Sequence, residues 1–182
     1  MTARSTQAGI MDSPEGYGIV SRTLHWLMAA LLLWQFASAA ARQFMPDTPV
    51  EDFFWFSHTS LGFLLFILVL VRGAWALANS RRRPNSGFMA RCGHVVLYLL
   101  MLAIPTLGLL RAYGRGRGYS PFGIEVFGAR DHEIESLVQL ANSWHGLLGW
   151  TLIALTAGHI CMAFLHRKPN GQRVLSYMTK GQ

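Results

Sequence analysis

A chain of 182 residues that is 52% hydrophobic, with a mean hydropathy of +0.29, is too apolar for an ordinary soluble domain. Its formal net charge of +7, in so apolar a chain, points to membrane topology and away from nucleic acid. The two cysteines, Cys92 and Cys161, make neither a zinc cluster nor an iron–sulfur motif, and there is no Cys-x-x-Cys-His run for covalent haem attachment.

Four runs approach the ~20 apolar residues needed to cross a bilayer. They are 20–41, 54–78, 92–112 and 143–166. None alternates as the strands of a membrane barrel do. The expected fold is all-α, a four-helix transmembrane bundle, because helices satisfy their own backbone in lipid. Residues 1–18 read as a polar, frayed tail, 19–170 as the membrane domain and 171–182 as a C-terminal tail.

The first run imitates a secretory signal, with Arg22, an apolar core and Ala37-Ser38-Ala39 as a cleavage-like site. His25 and Trp26 at the start of that core, and the long stretch before it, argue for a retained span. Between the first two runs, RQFMPDTPVEDF is short and acidic, with Pro46 and Pro49 as breakers. The 79–91 segment is a basic turn. The 113–142 segment divides in two. YGRGRGYSPFGIEVFG is too glycine-rich for a stable helix and, with no strand before it and no GK[ST] after it, is no phosphate loop. DHEIESLVQLAN has apolar residues at helical spacing behind Asp131 as a cap. It predicts a short helix lying on the membrane surface.

Basic residues orient the bundle. With four spans, eleven Lys and Arg fall on the side of the termini and of the 79–91 turn, and five on the other. Both termini are therefore expected in the cytoplasm. Arg42, Arg111, Arg115, Arg117 and Arg130 are the five outside. Cys92 and Cys161 fall on the cytoplasmic half, where a disulfide is not expected.

Six of the seven histidines lie in or at the ends of spans; His132 is the exception and reads as exposed. Ionisable groups inside a membrane are costly and mark function. The topology sorts them into an outer layer, His58 and His145, and an inner layer, His25, His94 and His159, with His166 at the boundary. His145 and His159 are fourteen residues apart in one span, which is ~21 Å of helix with the two side chains ~40° from the same face. One helix then offers an imidazole at each leaflet. That suits two stacked haems, each held by a second histidine from another helix. The bland alternative is a set of unrelated, satisfied polar contacts. His94 stays open between replacing His25 as a ligand and bonding a haem propionate. Arg72 pairs with a propionate or snorkels to the interface. Trp26, Trp55, Trp75 and Trp144 read as the interfacial belt.

SRTLHW, FSHTSLG, RCGHVVLYLLMLAIPTLGLL and SWHGLLGWTLIALTAGH resemble the bacterial cytochrome b561 family across about residues 17–170. The resemblance implies a multi-pass inner-membrane cytochrome with two b haems. His25 and His159 would ligate the inner haem, and His58 and His145 the outer. Some members resemble superoxide oxidase, which passes electrons from periplasmic superoxide to ubiquinone. For superoxide, an anion, the outer arginines would supply steering; otherwise they pair with Glu125, Asp131, Glu133 and Glu135 or touch lipid head groups. The expected partners are lipid, a quinone and superoxide or a periplasmic redox protein. Two rival functions stand beside this one. The first is a haem-bearing anchor subunit of a larger oxidoreductase such as a hydrogenase or formate dehydrogenase. The second is a haem-free transporter or sensor.

Overall fold

The computed structural model describes residues 9–84, 87–165 and 175–179. Among the described residues four helical stretches are long and apolar enough to cross a membrane, the second of them running through Pro49–Ala78. They are built on α1 (Ile19–Phe44), α3 (His58–Ala78), α4 (Phe88–Arg115) and α5 (Glu135–Leu165). A short α2 (Pro49–Trp55) precedes α3, and α6 (Ser176–Thr179) follows α5. The most extensive helix packing joins α4 to α5, α1 to α3 and α3 to α4. The interior cluster of Met28 from α1 and Leu65 and Val69 from α3 is closed by Leu31, Leu68 and, from α4, Tyr98 and Met101. Many other large apolar side chains face outward, as a lipid-facing surface requires.

α1 and α4 overrun their apolar runs at both ends, and α5 begins well before its run, whereas α3 starts inside the run whose first residues belong to α2. Pro105 sits inside α4 without ending it; within a membrane the bundle supports a proline that would break a soluble helix. The segment read as a proline-broken loop contains α2. Pro49 opens that helix at its first turn, where a missing N–H costs nothing, and Thr48 Oγ1 accepts from Glu51 N at 3.3 Å.

The separate surface helix does not form. Asp131 is exposed and caps nothing, and the helix from Glu135 runs unbroken into the fourth span. The reason is packing. Val138 and Ala141 are buried, and a Cβ at Gly114 of α4 would lie 3.0 Å from Val138 Cγ2, so the two helices touch there. No breaker separates Asn142 from Ser143. The glycine-rich half also differs from expectation. Its Tyr113, Gly114 and Arg115 are helical, and Gly116 ends α4 at φ 67°, a left-handed conformation that disfavours a side chain. There follows an antiparallel hairpin, β1 (Arg117–Tyr119) and β2 (Phe127–Ala129), so among the described residues the fold is all-α but for this pair of strands. Tyr119 donates to the Thr59 carbonyl at 2.9 Å and fastens the hairpin over the start of α3.

The described part of the N-terminal tail is not frayed. Asp12 is buried, accepts from Gly18 N at 3.0 Å and pairs with Arg83 Nε at 3.0 Å. Tyr17 is drawn in beside Arg83, and burial raises its pKa above the ordinary tyrosine value. The other described terminus meets the same end of the bundle. Trp26 Nε1 donates to the Met178 carbonyl at 3.0 Å and Arg22 Nη1 to the Thr179 carbonyl at 3.3 Å. The molecule therefore has a termini end and a hairpin end.

Candidate functional site

At the hairpin end, His58 opens α3 and faces His145 of α5. Their ring centroids are 6.3 Å apart with the planes at 65°. An imidazole–metal–imidazole unit with bonds of about 2 Å and ring radii of about 1 Å spans roughly 6 Å between centroids. The spacing fits one metal centre between the two rings.

The hydrogen bonds fix which nitrogen points inward. His145 Nδ1 is 2.9 Å from the Ile104 carbonyl, which only accepts, so Nδ1 carries the proton. His58 Nδ1 is 2.6 Å from Ser38 Oγ. The Ser38 hydroxyl donates to the Gln35 carbonyl at 2.8 Å, so its oxygen accepts from His58. Both rings keep a lone pair on Nε2. A second partner on the far nitrogen is the support that orients a metal-ligating histidine. Trp55 stacks on His58 at 4.5 Å and 19°, so it does more than sit in the interfacial belt. Gly108 leaves room beside the pair: a Cβ there would lie 3.4 Å from His145 Cε1.

At the termini end the arrangement is looser. His94 of α4 and His159 of α5 have ring centroids 5.4 Å apart. His25 of α1 is within electrostatic range of both. Its Nδ1 lies 2.9 Å from Arg72 Nη1. A guanidinium only donates, so His25 Nδ1 accepts and a neutral ring carries its proton on Nε2. Arg72 also approaches the Tyr98 ring, at 5.9 Å. Arg72 is paired with no carboxylate among the described residues. A guanidinium held in the span without a counter-anion fits a haem carboxylate.

His145 and His159 lie on one continuous helix, as their spacing requires. His132 is exposed, and His166 lies outside the described residues. Among the described residues no group of three metal-ligand side chains forms a cluster that would hold a bare metal ion. The expected pairing of the outer arginines with Glu125, Asp131, Glu133 and Glu135 is not formed there either. Arg130 instead packs on the Tyr113 ring at 4.0 Å and donates to the Tyr113 carbonyl. Arg111 is within electrostatic range of both outer histidines.

Sequence reasoning missed Ser38, which is fully buried and holds His58. Its place three residues after Gln35 on a helix is the one local signal. It also missed Asp12, whose partner is 71 residues away.

The family model described as prokaryotic cytochrome b561 matches residues 16–181. The chain is 28% identical over 165 residues to cytochrome b561 homolog 2 of Escherichia coli (strain K12), covering 85% of this chain and 86% of that protein. It is 26% identical over 156 residues to the probable superoxide oxidase CybB of Yersinia pestis, covering 82% and 88%. A cytochrome b562 of Cereibacter sphaeroides is 29% identical over 144 residues, covering 73% of this chain and 88% of that protein.

Proposed function

This chain belongs to the prokaryotic cytochrome b561 family, bacterial membrane proteins of electron transfer that bind b-type haem, and from that premise we propose that it carries two b haems and passes single electrons from a periplasmic donor to the quinone pool across the inner membrane. The facing pair of His58 and His145, each with its Nδ1–H engaged and its Nε2 free, is the observation that carries this reading. His159, on the same helix as His145, serves the second haem with His25, and His94 stands beside them as neighbour. The hairpin end faces the periplasm and the termini end the cytoplasm, as the distribution of basic residues supports.

When bound, such a haem supplies a one-electron couple with no open position on iron, which favours electron transfer over oxygen binding. The protein's own residues do the remaining work. Ser38 and the Ile104 carbonyl hold the two outer imidazoles in the ligating tautomer. Arg72 is the cation available to a haem carboxylate at the termini end. Superoxide is the donor we favour, and ubiquinone the acceptor. The relative from Yersinia pestis is named a probable superoxide oxidase. Arg111, Arg115 and Arg117, at the hairpin end, are without carboxylate partners among the described residues and give an anion a favourable approach. The reaction balances as two superoxide, one quinone and two protons giving two dioxygen and one quinol.

The test is a reduced-minus-oxidised visible spectrum with a haem-to-protein ratio, followed by superoxide and then quinone. Two haems per chain that reduce on superoxide and reoxidise on quinone are expected. Two haems indifferent to superoxide would replace the donor with a redox protein and favour the anchor-subunit reading. Absence of haem would overturn the assignment.

A further inference from the structure

One turn of α1 grips His58 twice, by its ring and by its backbone. The ring hold is Ser38. The backbone hold is Gln35, whose Nε2 donates to the His58 carbonyl at 2.8 Å. Gln35 and Ser38 are three residues apart and share a face of the helix. Met28, Leu31, Gln35 and Ser38 recur at spacings of three and four, and Met28 and Leu31 belong to the interior cluster. A carboxamide therefore stands where an apolar residue would continue the packing.

It stands there at a cost. Gln35 Oε1 is buried and has no hydrogen-bond partner among the described residues, and an unmade bond at a buried acceptor destabilises a fold. The amide cannot turn over to satisfy Oε1, because that oxygen would then face the His58 carbonyl. The space for the amide is specific as well. Gly62 of α3 lies opposite, and a Cβ there would be 3.1 Å from Gln35 Nε2. The start of α3 is otherwise weakly fixed. Its N-cap, Ser57, makes no capping bond with its side chain and accepts instead from Trp34 Nε1, again of α1, at 2.9 Å. Stability alone would be served better by a leucine at position 35.

We propose that Gln35 is a positioning residue for His58: its bond to the His58 carbonyl fixes the first residue of α3 against α1, and with it the contact of the ring with Ser38. The proposal rests on the reading of His58 as an outer haem ligand and adds what sets that ligand's basicity. Ser38 by itself is one point of attachment and lets the helix end swing about it. Trp55 stacks on the ring but precedes it by three residues in the same chain segment, so it moves with the ring. Gln35 supplies the second fixed point from another helix. Two points hold the Nδ1–H bond short and set the plane of the ring, which stands at 65° to that of His145. A well-made Nδ1–H bond raises the basicity of the ligating nitrogen, which favours ferric iron and lowers the potential.

The experiment uses the haem-loaded protein, with a potentiometric titration and a ferric EPR spectrum. Gln35→Met keeps the length and volume of the side chain and removes the donor. Gly62→Ala displaces the amide from the other side and touches neither the ring nor Ser38. The outer haem is identified by its loss in His58→Ala. In either variant its midpoint should rise, by about a tenfold change in the ferric-to-ferrous ratio or ~59 mV for one electron. Its low-field EPR line, which depends on the angle between the ligand planes, should move. The inner haem should keep its midpoint and its line, and the haem-to-protein ratio should stay native. Gly62→Ala gives the same reading should Gln35→Met fail to accumulate. An altered melting temperature with native midpoints and EPR lines would make Gln35 a packing residue and overturn the proposal, as would an equal shift of both haems. Retention of both haems in His58→Ala would remove the ligand reading itself, and this proposal with it.

Discussion

The two ends of the bundle solve one problem differently. At the hairpin end two imidazoles face each other, and each has its far nitrogen occupied, by Ser38 and by the Ile104 carbonyl. At the termini end three imidazoles share one region, and His25 takes its hydrogen bond from Arg72 on the nitrogen that its outer counterparts use to donate. The hairpin end is set for a metal before one arrives. The termini end needs a rearrangement: His25 must lose the Arg72 hydrogen bond for Nδ1 to hold a proton while Nε2 ligates. An acceptor for Arg72, such as a haem carboxylate, favours that change. Preorganisation is thus a property of each end separately, and a chain can have it at one and not the other.

Substitutions can break this comparison or refine it. The largest effect is expected from His145→Ala and His159→Ala. Each should lose about one of two haems, from opposite ends, as measured by pyridine haemochrome content per chain. Retention of both haems in both variants would remove the ligand assignment. Next come His25→Ala and His94→Ala. The first should lose the inner haem, and the second should keep both haems with a shifted inner midpoint in a potentiometric titration. The reverse result would make His94 the ligand and leave His25 to Arg72. Ser38→Ala is smaller. It should weaken the outer haem alone, by about 10–100-fold in affinity, because it frees His58 Nδ1. An equal effect on both haems would show that Ser38 matters for packing and not for orientation. The smallest effect is expected of Asp12→Asn, which leaves Arg83 without its carboxylate. Because Arg83 is a quarter exposed, the cost should be about 1–3 kcal/mol, below that of a wholly buried pair. A thermal melt of the detergent-solubilised protein, with haem spectra unchanged, would register it.

What could be read from the chain follows from which signals are periodic. The four spans and the placing of His145 and His159 on one helix depend on apolar length and on a repeat of about 3.6 residues, and both are local. Helix ends are less legible. Asp131 was a reasonable cap, yet nothing in Asn142-Ser143 stops a helix, so the predicted surface helix became the first turns of α5. Pro46 and Pro49 read as breakers, although Thr-Pro-Val-Glu is equally a helix start. Ser38 shows the deeper difficulty. In the sequence it is the middle of Ala-Ser-Ala, a stretch that imitates a cleavage site. In the fold it is fully buried and bonded to His58, a residue on another helix. A hydroxyl among small residues carries no local sign of the ring it will meet.

The Asp12–Arg83 pair has a consequence for the order of assembly. Its two halves are 71 residues apart, with α1 and α3 between them. During synthesis Asp12 emerges long before Arg83 exists, so the N-terminal segment must wait in water until the first helical hairpin is threaded. Closure of this pair therefore reports that α1 and α3 have both inserted with their ends on the same side. A chain with α3 inverted leaves Asp12 solvated and the segment open to protease. Residues 9–18 thus close on Arg83 only when the first two spans have the orientation seen in the fold.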